Sequence, residues 1–141
     1  MRGCGLPFTR RDRALVCSAG HTFDIARRGY INLLQPQDRR SLSAGDSKAA
    51  VDARAALDQT GVERFVIDAV IHTIATLPLP AKPVVVDLGS GTGEMLGGLV
   101  KARPVEGIGI DLSVPAVELS ARRVPSLTCV VANADRRLPI P

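Results

Sequence analysis

Two groups of residues in this 141-residue chain have types and spacings that could do chemistry. The first is Val84-Val85-Val86-Asp87-Leu88-Gly89-Ser90-Gly91-Thr92-Gly93-Glu94, followed by Asp111. Glycines between a strand and a helix leave no Cβ to hold a ligand off the backbone, and the helix N–H groups point at whatever is bound. Spacing separates the ligand classes. A dinucleotide fingerprint needs Gly-x-Gly-x-x-Gly. Counted from Gly89 the third glycine falls at Glu94, and counted from Gly91 at Leu96, so both registers fail. What stands instead is Asp-x-Gly-x-Gly-x-Gly, with the acid inside the end of the strand. The second group is Cys4, Cys17 and His21, the last two forming a Cys-x3-His pair. Thiolates and an imidazole so spaced can meet on one tetrahedral zinc, although a closed site takes four ligands and three are found. Cys129 lies in an apolar run and reads as a small buried hydrophobe. His72 lies on a predicted helix and reads as structural or exposed.

The elements that position these residues can be read from pattern. Residues 84–86 are an apolar β-branched run, as in a buried parallel strand. Residues 94–102 read as a helix, 107–111 as a second strand, 127–131 as a third. Pro115 suits the first turn of a helix reaching about Arg123. Strand, helix, strand, helix, strand is the first half of a doubly wound sheet. Three segments follow: 1–35, short strands and turns; 36–80, a polar loop and a helical linker; and 81–141, the α/β part. Within the linker, Asp46 or Ser47 can cap a helix rich in alanine, and Gly61 is placed to end it. A second helix is predicted from Val62, Phe65, Val66, Ala69, Val70 and Thr73 on one face. Pro78, Pro80 and Pro83 then stiffen the chain.

Charge is unevenly placed. Nine basic and four acidic residues precede or include Lys48, against nine and ten beyond it, so the net charge of +4 belongs to the first third. A basic segment attracts polyanions by counterion release, and a solvated Arg-rich face is the alternative reading. With 3% aromatic residues and no Trp, a base-stacking platform is not expected. Three cysteines argue against a disulfide framework. No apolar run reaches the roughly 20 residues of a membrane span, and the charged opening lacks a signal peptide's apolar core, so a cytoplasmic location is expected.

The Asp87–Gly93 run resembles motif I of the class I S-adenosylmethionine-dependent methyltransferases. The resemblance implies that Asp87, Gly89, Gly91, Thr92, Gly93 and Glu94 lie against this cofactor and that Asp111 accepts from the ribose hydroxyls. It places Asp135 at the adenine, with Asn133 as an alternative polar contact. A structural glycine turn is the alternative for the loop, and a surface turn residue for Asp135. The longer stretch Cys17-Ser-Ala-Gly-His-Thr-Phe-Asp-Ile-Ala-Arg-Arg-Gly-Tyr-Ile-Asn-Leu-Leu is more specific. With Gly45-Asp-Ser-Lys48 and Arg54-Ala-Ala-Leu57 it resembles the bacterial 23S rRNA guanine-N1 methyltransferases, a family with an N-terminal zinc-binding domain that includes macrolide-resistance enzymes. By that resemblance Cys4, Cys17 and His21 are zinc ligands and the basic arm helps hold 23S rRNA. No DNA or membrane partner is expected, and an oligomer is left open.

This sequence departs from the family pattern at three places. Only Cys4 stands where the family has a cysteine pair. Gly61-Val62-Glu63 replaces a Gly-His-Tyr segment near the cofactor. The family also continues through at least four more strands, so an N-terminal fragment, truncated at both ends, is expected. The expected fold is therefore a Rossmann-like α/β sheet of three strands, preceded by a small zinc-ribbon-like domain and a helical linker. Methyl transfer to a guanine ring nitrogen is the expected reaction, with no catalytic residue nameable. A non-catalytic module binding RNA or zinc, and a small-molecule methyltransferase, are the alternatives.

Overall fold

Runs of three or four residues separated by turn residues build the first layer. In the computed structural model, which describes residues 5–34 and 44–135, β1 (Phe8–Arg11), β2 (Ala14–Cys17) and β3 (Thr22–Asp24) form an antiparallel sheet in that order. Asp12 takes a left-handed conformation in the two-residue connection between β1 and β2, where Asp is tolerated. Phe8 and Phe23 meet edge to face, ring centroids 5.5 Å apart. Cys4, most of the polar loop and the chain from residue 136 onward lie outside the described residues.

The arm does not end with this sheet. β4 (Ile31–Asn32) leaves it and pairs in parallel with β7 (Thr128–Val131), Ile31 opposite Val130 and Asn32 opposite Val131. Leu33 N–H continues the ladder to the Val131 carbonyl at 2.9 Å, and Leu34 is buried in the main core. The segment read from sequence as a separate unit ending at residue 35 thus contributes a strand to the parallel sheet.

Two helices connect the layers. α1 (Lys48–Thr60) starts at Ser47, whose hydroxyl accepts from Ala50 N–H at 3.2 Å, and ends at Gly61 in the left-handed conformation. α2 (Arg64–Thr76) packs on α3 (Glu94–Ala102), with Ile71 filling the space above Gly98. The apolar face predicted for α2 points the other way: Val62 is 65% and Phe65 77% exposed, with Val66 and Val70 also exposed. Periodicity marked the stripe, but the partly buried row is Ile67, Ile71 and Ile74, of which Ile71 lies over Gly98 of α3.

The parallel sheet holds β5 (Val84–Leu88), β6 (Glu106–Asp111) and β7 beside β4, in the order β4-β7-β6-β5. α4 (Val114–Arg123) connects β6 to β7, with Ser113 as N-cap and Pro115 in the first turn. α3 and α4 cover one face, where Leu96, Val117, Ala121, Cys129, Val131 and Leu34 form the main core. Ile110, Val130 and Ala132 form a second cluster on strands, with Ile31, Leu33, Val86 and Ile108 partly buried against it. Neighbours such as Val85 and Val86, or Val130 and Val131, go to opposite clusters, as period-two side chains must.

Candidate cofactor site and metal arm

Parallel strands put their C-terminal ends at one edge, and loops there form the crevice in which open α/β sheets bind ligands. The edge beyond β5, β6 and β7 gathers the loop 89–93, Asp111, Asn133 and Asp135. Gly89 and Ser90 N–H both donate to the Ile110 carbonyl, at 2.8 and 3.0 Å, which folds the chain back over β6. Gly93 N–H then closes a turn on the Ser90 carbonyl.

The glycines serve different purposes. Gly89 and Gly91 have φ of +79° and +51°, and a Cβ on either would meet nothing within 4 Å. They leave open space beside the backbone, a cradle that a side chain would begin to fill. Gly93 has φ of +76°, and a Cβ there would come within 2.1 Å of Ser120 Oγ, so its role is the close approach of α3 to α4.

Asp111 joins the loop to the next turn. One carboxylate oxygen accepts from Gly91 N–H at 2.9 Å and the other from Ser113 N–H at 2.7 Å. Each oxygen keeps a lone pair free of these two bonds. Asp87 sits on β5 opposite Gly109 of β6; burial pushes its carboxyl up from the ordinary value of 3.8, and the nearby Asp111 pushes it further. Thr92 is buried at 4% exposure. Glu94 opens α3, and burial raises its pKa above the ordinary carboxyl value, with Asp58 adding to the rise and Arg123 opposing it. Asn133 accepts from Asp135 N–H at 2.9 Å in a turn just past β7, and Asp135 itself is exposed.

On the arm, the turn from β2 to β3 is closed by Gly20 N–H on the Cys17 carbonyl and by Cys17 N–H on the His21 carbonyl, both at 3.0 Å. It brings Cys17 Sγ to 3.3 Å from His21 Nδ1. Two ligands on one zinc, with bonds of about 2.3 and 2.0–2.1 Å, can stand at such a separation. Among the described residues no group of three or more His, Cys, Asp or Glu side chains could hold a metal ion; Cys4 lies outside them. Cys129 is buried in β7 beside Ser120, and His72 is exposed on α2.

Sequence reasoning missed Asp58. Its carboxylate, 5% exposed, accepts from Thr92 Oγ1 at 3.2 Å and pairs with Arg123 at 3.3 Å. A signal was present: Asp58 lies in the last turn of α1, the negative end of the helix, where a carboxylate is disfavoured unless something else holds it.

Residues 4–42 match a zinc-ribbon family described as "RlmA, N-terminal". The 23S rRNA (guanine(748)-N(1))-methyltransferase of Streptomyces fradiae is 37% identical over 97% of this chain and 49% of its own length. A putative 23S rRNA (guanine-N(1)-)-methyltransferase of Micromonospora griseorubida is 36% identical over 97% of this chain and 52% of its own length. A solved methyltransferase of Thiobacillus denitrificans, in complex with S-adenosyl-L-homocysteine, is 40% identical over 40% of this chain and 23% of its own, at a TM-score of 0.35. The chain spans about half the length of the curated relatives it matches. Residues 4–42 are thus similar to the RlmA-type N-terminal zinc ribbon, and the chain is similar, along 97% of its length, to 23S rRNA (guanine-N1)-methyltransferases.

Proposed function

We propose that this chain is the cofactor-binding portion of an S-adenosylmethionine-dependent methyltransferase acting on N1 of a guanine in 23S rRNA, with a zinc-binding arm that helps hold the RNA. The observation that carries the reading is the open cradle over Gly89 and Gly91, set between the strand-end acids Asp87 and Asp111. The relatedness of the chain to the Streptomyces and Micromonospora proteins supports the choice of substrate. So do the exposed arginines Arg10, Arg11, Arg13 and Arg27 of the arm, which suit a phosphate backbone. No helix among the described residues is long and apolar enough to cross a membrane.

S-Adenosylmethionine, when bound, supplies an electrophilic methyl group on a sulfonium. The protein's own contribution is orientation. Gly89 and Gly91 let the ligand approach the backbone, while Asp111 fixes Gly91 and offers its remaining lone pairs to two vicinal hydroxyls. Asn133 and Asp135 stand at the same edge for the base of the cofactor. On the arm, Cys17 and His21, with Cys4, would hold zinc in a structural role.

Titration of the chain with S-adenosylhomocysteine by calorimetry tests the reading. Gly91→Val abolishes binding, since a branched side chain enters the open space and resists a φ of +51°. Asp111→Ala weakens it by about 1.5–3 kcal/mol, the value of hydrogen bonds to a charged group. Unaltered affinity in both variants overturns the assignment.

A further inference from the structure

The linker helix α1 is fastened to the candidate cofactor site at both ends. At its N-terminal side, the Asp46 carbonyl accepts from Ser113 Oγ at 2.8 Å. Gly45 lies so close to the same turn that a Cβ would come within 2.6 Å of Ser113 N. Ser113 is itself bonded to Asp111 through its N–H. At its C-terminal side, Asp58 accepts from Thr92, the residue between Gly91 and Gly93, and pairs with Arg123 at the end of α4. One fastening thus reaches the wall that holds Asp111, and the other reaches the glycine loop. The two share no residue.

A carboxylate in the last turn of a helix opposes the helix dipole, and its burial costs free energy unless partners compensate. Helix stability therefore does not account for Asp58. Its partners do: a hydroxyl within the loop, and a guanidinium that fixes the carboxylate where the hydroxyl can reach it. We propose that Asp58 is a positioning residue for the cofactor loop: acting through Thr92, it makes α1 a strut that sets the glycine loop against the Asp111 turn. The inference rests on the cofactor reading above. It assigns the segment between the arm and the sheet a part in building the site, since the strut begins where the chain from the arm arrives.

The test combines hydrogen exchange with ligand binding on the whole chain. In Asp58→Ala, and in Asp58→Asn, which keeps the shape and loses the charge, exchange at the amides of residues 91–93 rises. S-Adenosylhomocysteine affinity falls by about tenfold or more, as for loss of a charged hydrogen bond. Thr92→Val loosens the loop in the same way, and the affinity lost in the double variant Asp58→Ala/Thr92→Val falls short of the sum of the two single losses, because the two substitutions share the Asp58–Thr92 contact. Phe23→Ala, in the small antiparallel sheet, lowers the melting temperature and leaves the affinity unchanged. A wild-type chain that binds, with Asp58 variants that melt lower yet bind as tightly, overturns the proposal alone. A wild-type chain that does not bind overturns the cofactor reading and the proposal with it.

Discussion

The antiparallel sheet β1–β3 and the parallel sheet β4–β7 are held together by different means. In the first, Cys17 and Phe23 are the buried residues, and most of the other side chains face water. In the second, Ile110, Cys129 and Val131 on the strands and Leu96 and Val117 on the covering helices are each exposed by 1% or less. Apolar burial is worth about 25 cal/mol per Å², so the parallel sheet has a core that can offset its chain entropy, whereas the small sheet has little to set against its own. Sheets this thin depend on a cross-link of another kind, and the two side chains that meet at the β2–β3 turn, Cys17 and His21, have the chemistry of metal ligands.

The largest effect should come from breaking the larger core. Leu96 is fully buried in the first turn of α3, against the sheet and α4. Leu96→Ala is expected to destabilise the α/β unit by about 2–5 kcal/mol, the range for deleting a buried leucine side chain. Urea unfolding followed by circular dichroism measures it. A loss below about 1 kcal/mol would mean that the site collapses around the gap, and that the contrast between the two sheets is smaller than their burial indicates.

The arm should respond to metal where the parallel sheet does not. Zinc titrated into the chain is expected to raise amide protection across β1–β3. At roughly a hundred times its Kd it adds about 2.7 kcal/mol to the state that binds it. Cys17→Ser removes the gain, because a hydroxyl replaces the thiolate ligand. The amides of β5 and β6 should stay unchanged in both cases. Equal protection of both sheets on adding zinc would show that they unfold as one unit, and would break the comparison.

Legibility in the sequence follows the same division. The glycine loop, the helix at Glu94–Ala102 and the strand ends were readable because each is a local pattern: apolar runs of strand length, a capping residue, glycines at fixed offsets. The ends of α1 were readable for the same reason, with Ser47 and Gly61 in capping positions. β4 was not. A two-residue strand has no periodicity to detect, and its partner Val130 lies about a hundred residues away in sequence. The direction of α2 was not readable either, since an apolar stripe does not say what faces it, and here Ile71 on the other side packs over Gly98. Asp58 needed the tertiary contact with Thr92 and Arg123 to show why an acid ends that helix.

The joint between the two regions is where the comparison can be sharpened most finely. Arg28, on the arm, pairs with Glu118 of α4 at 2.6 Å, a contact that looks like the latch between them. Both side chains are partly exposed, at 51% and 34%, so the attraction acts through water and the long side chains lose rotamer freedom to make it. The joint has stronger fastenings: β4 hydrogen-bonds to β7, Leu33 N–H continues that ladder, and Leu34 is buried among Leu96, Val117 and Val131. Arg28→Ala is therefore expected to cost no more than about 1 kcal/mol, the upper range for an exposed pair, and less at high salt. Thermal melts of this variant at low and high ionic strength, set beside Leu34→Ala, measure the division. Leu34→Ala should cost more, about 2–5 kcal/mol, the range for deleting a buried leucine side chain, and should be insensitive to salt. A larger, salt-dependent loss in Arg28→Ala than in Leu34→Ala would mean that charge, rather than burial and strand pairing, holds the arm to the sheet.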